Sequence, residues 1–345
     1  MPMSRKSRRS KGPAKAEKIK VTVPVDPDVY YKLRYQAVRR ERGDYHPETL
    51  RAAQEVARCL AASPEDREEA VETYLNLLEV LWNSPGPDDP WCLEVVHEAA
   101  EVVFRSGDLA RAEEMAQAAL DGRERVLGGD HPDSLASAEL LGRVLTAVGR
   151  PAEAEALHRD VLDRHRRAGG EDAEAVRMAR LDVARTLLAQ GRFAEAAADF
   201  RSVAEEAERD WGAQDPRTQS ARNNLAAALF QLGELEEAAR MFRAGLDAPG
   251  EDDGTGHNNL ATVLFHLGRF DEAEAELREA LVRKERHWGV DALETMQSVE
   301  NLARVLARLG RHAEARELAR RCLVVYRRAY PAHHPRISSI RELLD

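Results

Sequence analysis

Histidines and carboxylates at helical spacing are the residues of this chain that come nearest to a metal or catalytic site. The run from His97 to Glu101, HEAAE, begins like the zinc motif HExxH, but Glu101 stands where the second imidazole ligand is needed. His158 and His165 are seven residues apart, yet two imidazoles without a carboxylate partner make a poor metal site. We therefore expect surface histidines here, and neither a metal nor another cofactor.

Sequence motifs for phosphate binding and for nucleophilic catalysis are also missing. The 345 residues contain no GxxxxGK[ST], GxGxxG or GxSxG. Glutamates spaced by three or four residues are frequent, but such pairs arise automatically in Glu-rich helices and nominate no catalytic acid or base. The sequence therefore predicts that the chain is not an enzyme.

The composition indicates a helical protein. Aromatic residues make up 5% and charged residues 32%, and Ala, Leu, Glu and Arg dominate, which favours helices packed through small and aliphatic side chains. The cysteines Cys59, Cys92 and Cys322 are far apart and form no CxxC. Because no secretion signal and no apolar stretch of about 18 residues occurs, we expect a cytoplasmic protein without membrane contact.

Two landmarks recur along the chain with nearly the same period. A glycine before an Ala- and Glu-rich segment recurs in steps of 42, 42, 42, 35 and 42 residues, at Gly107, Gly149, Gly191, Gly233, Gly268 and Gly310. A proline-containing helix start recurs in step with it, at His46-Pro47, Asp89-Pro90, His131-Pro132, Asp215-Pro216 and His334-Pro335. Proline suits the first turn of a helix and glycine its end, so each repeat is predicted to be a helical hairpin.

This period divides the chain into repeats that must stack to bury their apolar faces. Before the repeats we expect a basic, disordered tail at 1–20 and a capping segment at 21–45. Seven helix pairs follow, at 46–88, 89–130, 131–172, 173–214, 215–249, 250–291 and 292–333, and a closing helix occupies 334–345. The predicted fold is an all-α, right-handed superhelical solenoid.

The repeats resemble a known family. Segments such as NNLAAALFQLGELEEAARMFRAGL and LGGDHPDSL, in 42-residue hairpins, are similar to the kinesin light chain-like class of tetratricopeptide repeats, which is also common in bacteria. The resemblance covers residues 46–345 and implies a non-catalytic scaffold whose concave groove binds a peptide or helix of a partner protein.

In that family the asparagine of the NNLA motif commonly grips the backbone of an extended peptide, and Asn224, Asn259 and Asn301 hold this place here. An amide side chain can both donate and accept, so a row of them can satisfy a peptide backbone of any sequence. Earlier repeats have Glu98, Leu140 and Asp182 at the same position, which restricts the row to the carboxy-terminal half. One turn further along the helices lie the predicted groove cations Arg143, Arg185, Arg304 and Arg308.

These arginines favour an acidic peptide, since guanidinium groups pair with carboxylates. The alternative is that they are neutralised internally, because Glu98, Glu101, Glu139, Asp182 and Glu300 share the same face. Both interpretations stay open at the level of the sequence.

The amino terminus suggests a second functional hypothesis. The net charge is −10, but residues 1–20 alone carry +7, with possible polyanion contacts at Arg5, Lys6, Arg8, Arg9, Lys18 and Lys20. The alternation of Val21, Val23 and Val25 could form the strand of a ribbon-helix-helix-like DNA-binding unit. The chain would then be a nucleic-acid-associated regulator whose repeats serve as a sensor or partner-binding domain.

Overall fold

The computed structural model describes residues 27–63, 65–167, 173–246, 253–331 and 333–344. Within these residues every regular element is an α-helix, and the chain divides into two compact units after Pro85. The helices are α1 Pro27–Arg42, α2 Pro47–Ala62, α3 Arg67–Asn83, α4 Pro90–Ser106, α5 Leu109–Leu127, α6 Pro132–Val148, α7 Pro151–Arg167, α8 Ala173–Ala189, α9 Phe193–Trp211, α10 Pro216–Leu232, α11 Leu235–Leu246, α12 Thr255–His266, α13 Phe270–Trp288, α14 Leu293–Arg308, α15 His312–Ala329 and α16 Pro335–Glu342.

Within each unit, every helix packs against the next one along the chain. We call the even-numbered helices α4 to α14 the A helices of the second unit and the odd-numbered helices α5 to α15 its B helices. A helices also contact each other, as α4 with α6, α6 with α8, α8 with α10 and α12 with α14. We name their common side the A-helix face. The predicted all-α array of sequential helix pairs is confirmed.

The proline landmarks of the sequence are helix N-termini that are capped by the preceding side chain. The capping atoms accept from a backbone N–H two residues later, and they are Nδ1 of His46, His131 and His334 and Oδ1 of Asp89 and Asp215. At α6 the distance from the Asp133 nitrogen to His131 Nδ1 is 3.2 Å. Because imidazole and carboxylate both supply an acceptor to the unpaired donors of a first helical turn, His and Asp alternate at this landmark.

The glycine landmark ends the A helix. At Gly149 the backbone is left-handed, with φ 90°, which a residue with a Cβ adopts only at a steric cost. This conformation lets the Arg150 N–H donate to the Leu145 carbonyl at 2.8 Å. The chain thereby closes the last turn of α6 and starts α7 within three residues.

At four of the B helices, α7, α9, α13 and α15, an arginine after the glycine ties the helix to the B helix before it. Arg192 donates to Glu195 at 2.7 Å at the start of α9 and to Glu155 of α7 at 2.8 Å. Burial alone would raise the pKa of Glu155, but hydrogen bonds from Gln190 and Arg192 outweigh it and lower this pKa. The same arrangement recurs at Arg150, Arg269 and Arg311.

The carboxy-terminal end of the second unit is closed by α16. Ile337 and Ile340 are fully buried in a core that also contains Met296 and Tyr326. The Tyr326 hydroxyl donates to Glu300 at 2.9 Å, and Arg336 of α16 lies 3.1 Å from the same hydroxyl. A mixed apolar and polar contact therefore holds the closing helix in place.

Candidate functional site

Three partly exposed asparagines lie at equivalent places on A helices of the second unit. Asn224, Asn259 and Asn301 each precede a buried leucine, which is Leu225 on α10, Leu260 on α12 and Leu302 on α14. Because the leucines anchor these helices in the core, the amides are held at its edge. The side chains of Asn224 and Asn259 make no hydrogen bond to the described residues. Two amides in this row therefore keep their donors and acceptors available.

The third amide is partly used inside the protein. Asn301 Nδ2 donates to Asn258 Oδ1 at 3.1 Å, and the Ser298 hydroxyl donates to the same oxygen at 3.0 Å. Asn258 is only 6% exposed, so it links α12 to α14 below the surface. Sequence reasoning missed Asn258, although the Asn258-Asn259 doublet is visible in the NNLA motif. One asparagine of the doublet is structural, and the other is partly exposed.

A small cavity lies beside Asn301, between α12, α13 and α14. Its volume is about 80 Å³, and it is lined by Ala261, Thr262, Phe265, His266, Leu277, Asn301, Arg304 and Val305. An apolar cavity of about 150 Å³ can hold benzene, so this one has room for a smaller aliphatic group. The position of Asn301 and Arg304 at this cavity places a polar rim next to an apolar wall.

The predicted groove arginines differ in how far they are engaged within the protein. Arg185 pairs with Asp182 at 2.7 Å, and Arg304 donates to Glu300 at 2.7 Å and to Ser339 at 2.6 Å. Arg308 lies 4.6 Å from the ring centre of Phe270, in cation–π geometry. Arg143 makes no hydrogen bond or ion pair with any residue that the structure describes. Internal pairing thus holds for Arg185 and Arg304, while Arg143 keeps its donors.

In the first half of the second unit, polar side chains form internal contacts between A helices. His97 of α4 lies 3.2 Å from the Ser137 hydroxyl of α6, and Arg123 donates to the same hydroxyl at 2.9 Å. Burial lowers the pKa of His97 to about 4, and the positive charges of Arg123 and Arg143 act in the same direction. The imidazole is therefore neutral near pH 7.

The expectation that His158 is a surface histidine is wrong. Its side chain is only 2% exposed and lies between α6 and α8, with Nδ1 2.9 Å from the Thr186 hydroxyl and Nε2 3.4 Å from the Glu139 carbonyl oxygen. Gly142 of α6 makes this possible, because a Cβ there would overlap the imidazole. A glycine inside an otherwise regular helical pattern was the available indication of such a close approach.

Two carboxylates lie beside this histidine. Burial and the nearby charge of Asp182 raise the pKa of Glu139, although His165 lies 3.5 Å from Glu139 and opposes the shift. Burial likewise lowers the pKa of His158. The facing sides of α6, α7 and α8 thus carry a polar cluster of Glu139, His158, His165, Asp182, Arg185 and Thr186.

Among the described residues, no group of three or more His, Cys, Asp or Glu side chains is arranged to hold a metal ion. None of the described helices has the length and apolar character that crossing a bilayer requires. The polyanion contacts predicted at Arg5, Lys6, Arg8, Arg9, Lys18 and Lys20, and the predicted strand around Val21, Val23 and Val25, lie outside the described residues.

Comparison with family models agrees with this repeated helix-pair architecture. A model described as tetratricopeptide repeat matches residues 92–167, 134–209 and 252–328, and a second model with the same description matches residues 181–253. Together these matches cover more than half of the chain. A comparison with curated protein sequences finds no match.

Solved structures with the same type of fold include three examples of differing similarity. Kinesin light chain-like repeats from Podosopora anserina are 23% identical and cover 58% of this chain and 95% of their own, with a TM-score of 0.50. BtubC (BKLC) from P. vanneervenii is 20% identical over 66% of this chain and 94% of its own, with a TM-score of 0.56. A Rap protein complexed with Competence and Sporulation Factor is 14% identical over 94% and 87%, with a TM-score of 0.51. At these identities the likeness concerns the fold.

Proposed function

Because the chain belongs to the tetratricopeptide repeat family, whose arrays generally mediate protein or peptide binding and are typically non-catalytic, we propose that it is a non-catalytic scaffold or adaptor. Its ligand is an extended peptide or helical segment of a partner protein. The binding surface is the A-helix face of α10, α12 and α14, with Asn224, Asn259 and Asn301 as its polar contacts.

The observation that carries this proposal is the availability of the amides on α10 and α12. Asn224 and Asn259 have no hydrogen bond to the described residues, although each sits next to the buried core. A peptide strand offers backbone N–H and C=O groups that match the donors and acceptors of an Asn side chain. Such contacts would hold the peptide in place with little dependence on its sequence.

The cations of the same face favour acidic residues in the peptide. Arg308 packs on Phe270 without a carboxylate partner among the described residues, and Arg143 lies near the cluster of α6 to α8. Arg185 and Arg304 already hold carboxylates, so a peptide carboxylate would have to share or displace Asp182 or Glu300. We therefore assign the stronger peptide contact to Arg308 of α14, and a longer peptide that extends beyond α10 would also contact Arg143 of α6.

The test uses a displayed library of random peptides to select ligands for the full chain, followed by affinity measurements on individual peptides. The variant Asn224→Ala/Asn259→Ala/Asn301→Ala should lose about 3 kcal/mol of binding free energy, or roughly 100-fold in Kd, at about 1 kcal/mol for each hydrogen-bonding amide. Asn76→Ala/Asn83→Ala, which removes exposed amides of α3, is the matched control and should bind like wild type. Selected peptides whose affinity is the same for all three proteins would disprove the proposed surface.

The second candidate function is nucleic-acid-linked regulation through the basic residues 1–20. The observation that favours it is the +7 charge of this segment on a chain of net charge −10. Wild type should then bind DNA with an association constant whose logarithm falls linearly with the logarithm of the salt concentration. A variant lacking residues 1–20 should lose this DNA binding and keep any peptide binding. Wild-type protein without measurable DNA affinity at low salt would eliminate this candidate.

A further inference from the structure

The outer side of α15 carries a row of arginines without internal partners. Arg316, Arg320 and Arg327 are exposed and make no ion pair or hydrogen bond with the part of the chain that the structure describes. Arg321 of the same helix, by contrast, is bonded to Glu285 at 2.9 Å. Spacings of four and seven residues place the three side chains on one stripe of the helix. Val324, which is 54% exposed, lies beside this stripe.

The outer side of α3 carries the opposite charge in the same pattern. Glu68, Glu72 and Glu79 are exposed and likewise have no ion pair among the described residues. Their spacings are again four and seven residues, so they also form one stripe. Trp82, which is 52% exposed, lies one turn beyond Glu79. Exposed tryptophan is enriched at protein interfaces relative to the rest of the surface.

The acidic helix α9 does not offer the same match. On α9, several carboxylates are already bound to arginines of neighbouring A helices, as Glu206 is to Arg180 at 2.8 Å and Glu208 is to Arg222 at 2.7 Å. Of the α3 carboxylates, Glu69 is paired with Lys32 at 3.1 Å, whereas Glu68, Glu72 and Glu79 have no ion pair among the described residues. The chain itself therefore carries, on α3, an acidic stripe that matches the arginines of α15 in spacing and charge.

We propose that the chain self-associates through the α15 stripe of one copy and the α3 stripe of another. With a rise of about 1.5 Å per residue, both stripes span roughly 16 Å, so helices lying side by side in parallel bring all three charges opposite each other. Glu68 then faces Arg316, Glu72 faces Arg320 and Glu79 faces Arg327. Trp82 and Val324 supply apolar contact at the same surface.

This contact joins two different surfaces, so the interface is heterologous. Each added copy leaves one stripe unoccupied, and the copies form either a closed ring or an open filament. Three exposed ion pairs with limited apolar contact give weak association that depends on salt. The A-helix face is not involved. Self-association and peptide binding can therefore be tested independently of each other.

The test is sedimentation velocity on the full chain at several protein concentrations. Wild type should form oligomers that grow with concentration at about 25 mM salt and should dissociate at about 500 mM salt, where the Debye length is several-fold shorter. Arg316→Glu/Arg320→Glu/Arg327→Glu and Glu68→Arg/Glu72→Arg/Glu79→Arg should each be monomeric in low salt, with at least a tenfold weaker Kd. An equimolar mixture of the two variants should associate again, because each then meets a stripe of opposite charge.

Arg209→Glu/Arg240→Glu is the matched control, since it reverses exposed arginines of α9 and α11 that also lack ion pairs among the described residues. It should associate like wild type, and thermal unfolding should show that all variants are folded. Monomeric wild type in low salt, or two variants that fail to associate when mixed, would overturn the proposal. Association that survives either reversal would overturn it as well.

Discussion

The two halves of the second unit, α4 to α8 and α10 to α12, have the same helix arrangement. They differ in whether polar side chains at the A-helix face are bonded within the protein. In α4 to α8 several polar side chains find partners within the protein, as His97 does with Ser137 and Asp182 does with Arg185, although Arg143 has none among the described residues. In α10 to α12 two side chains, Asn224 and Asn259, have no such partner among the described residues. At the position where α12 has Asn259, α8 has Asp182, and that carboxylate is buried.

The repeated fold therefore determines where a side chain lies, and contacts within its own A helix or with the neighbouring one determine whether its polar atoms stay available. A carboxylate at this position needs a cation or a hydrogen-bond donor when it is buried, and Asp182 is paired with Arg185. A neutral amide at the edge of the core can remain hydrated without a large energetic cost. This difference makes the second half the better candidate for binding another chain, and it can be tested by substitutions in each half.

The largest effect is expected from filling the space between α6 and α8. Gly142→Ala should destabilise the protein by about 3 kcal/mol, because the added methyl group displaces His158 from its hydrogen bonds and overpacks the site. Chemical denaturation followed by circular dichroism measures this change. Adding His158→Ala should make the double variant more stable than the sum of the two single changes predicts. If the two changes were simply additive, the proposed close packing of Gly142 and His158 would be wrong.

A smaller effect should follow from the half-buried imidazole of His97. Its pKa in the folded protein is lowered to about 4, against about 6.5 when unfolded, so the unfolded state binds a proton first as pH falls. The stability that the neutral ring provides is present above pH 6.5 and is lost between pH 6.5 and 4. Urea denaturation should show wild type less stable at pH 5 than at pH 7 by about 2 kcal/mol through this residue alone.

His97→Gln is the matched control for this pH dependence, because it retains a polar group toward Ser137 but does not titrate. The difference in stability between pH 7 and pH 5 should shrink by about 1–2 kcal/mol in this variant. Burial also lowers the pKa of His158, so the variant should still become less stable as the pH falls from 7 to 5, but by a smaller amount. If the substitution left the difference in stability between pH 7 and pH 5 unchanged, His97 would not be the group that titrates.

The sequence predicted much of this fold because the landmarks act locally. His131 caps α6 and Gly149 ends it through contacts within a few residues, so periodic spacing alone locates both helix ends. The partners across helices could not be predicted in the same way. Asn301 meets Asn258 at a separation of 43 residues, and His158 meets Thr186 at 28, so both contacts depend on how far neighbouring helices are apart. The same limit applies to Arg304, whose bonds reach Ser339 of α16.

The smallest effects distinguish the two adjacent asparagines of α12. Asn258→Ala should destabilise the protein by about 1–2 kcal/mol, because the buried Ser298 hydroxyl and one Asn301 N–H lose their acceptor. Asn259→Ala should change stability by less than about 0.5 kcal/mol, since its amide has no partner among the described residues and stays in contact with water. Peptide affinity should show the reverse order, with the larger direct loss in Asn259→Ala. An Asn259→Ala protein as destabilised as Asn258→Ala would mean that this amide also serves the fold, and the contrast between the two halves would then no longer support binding at α12.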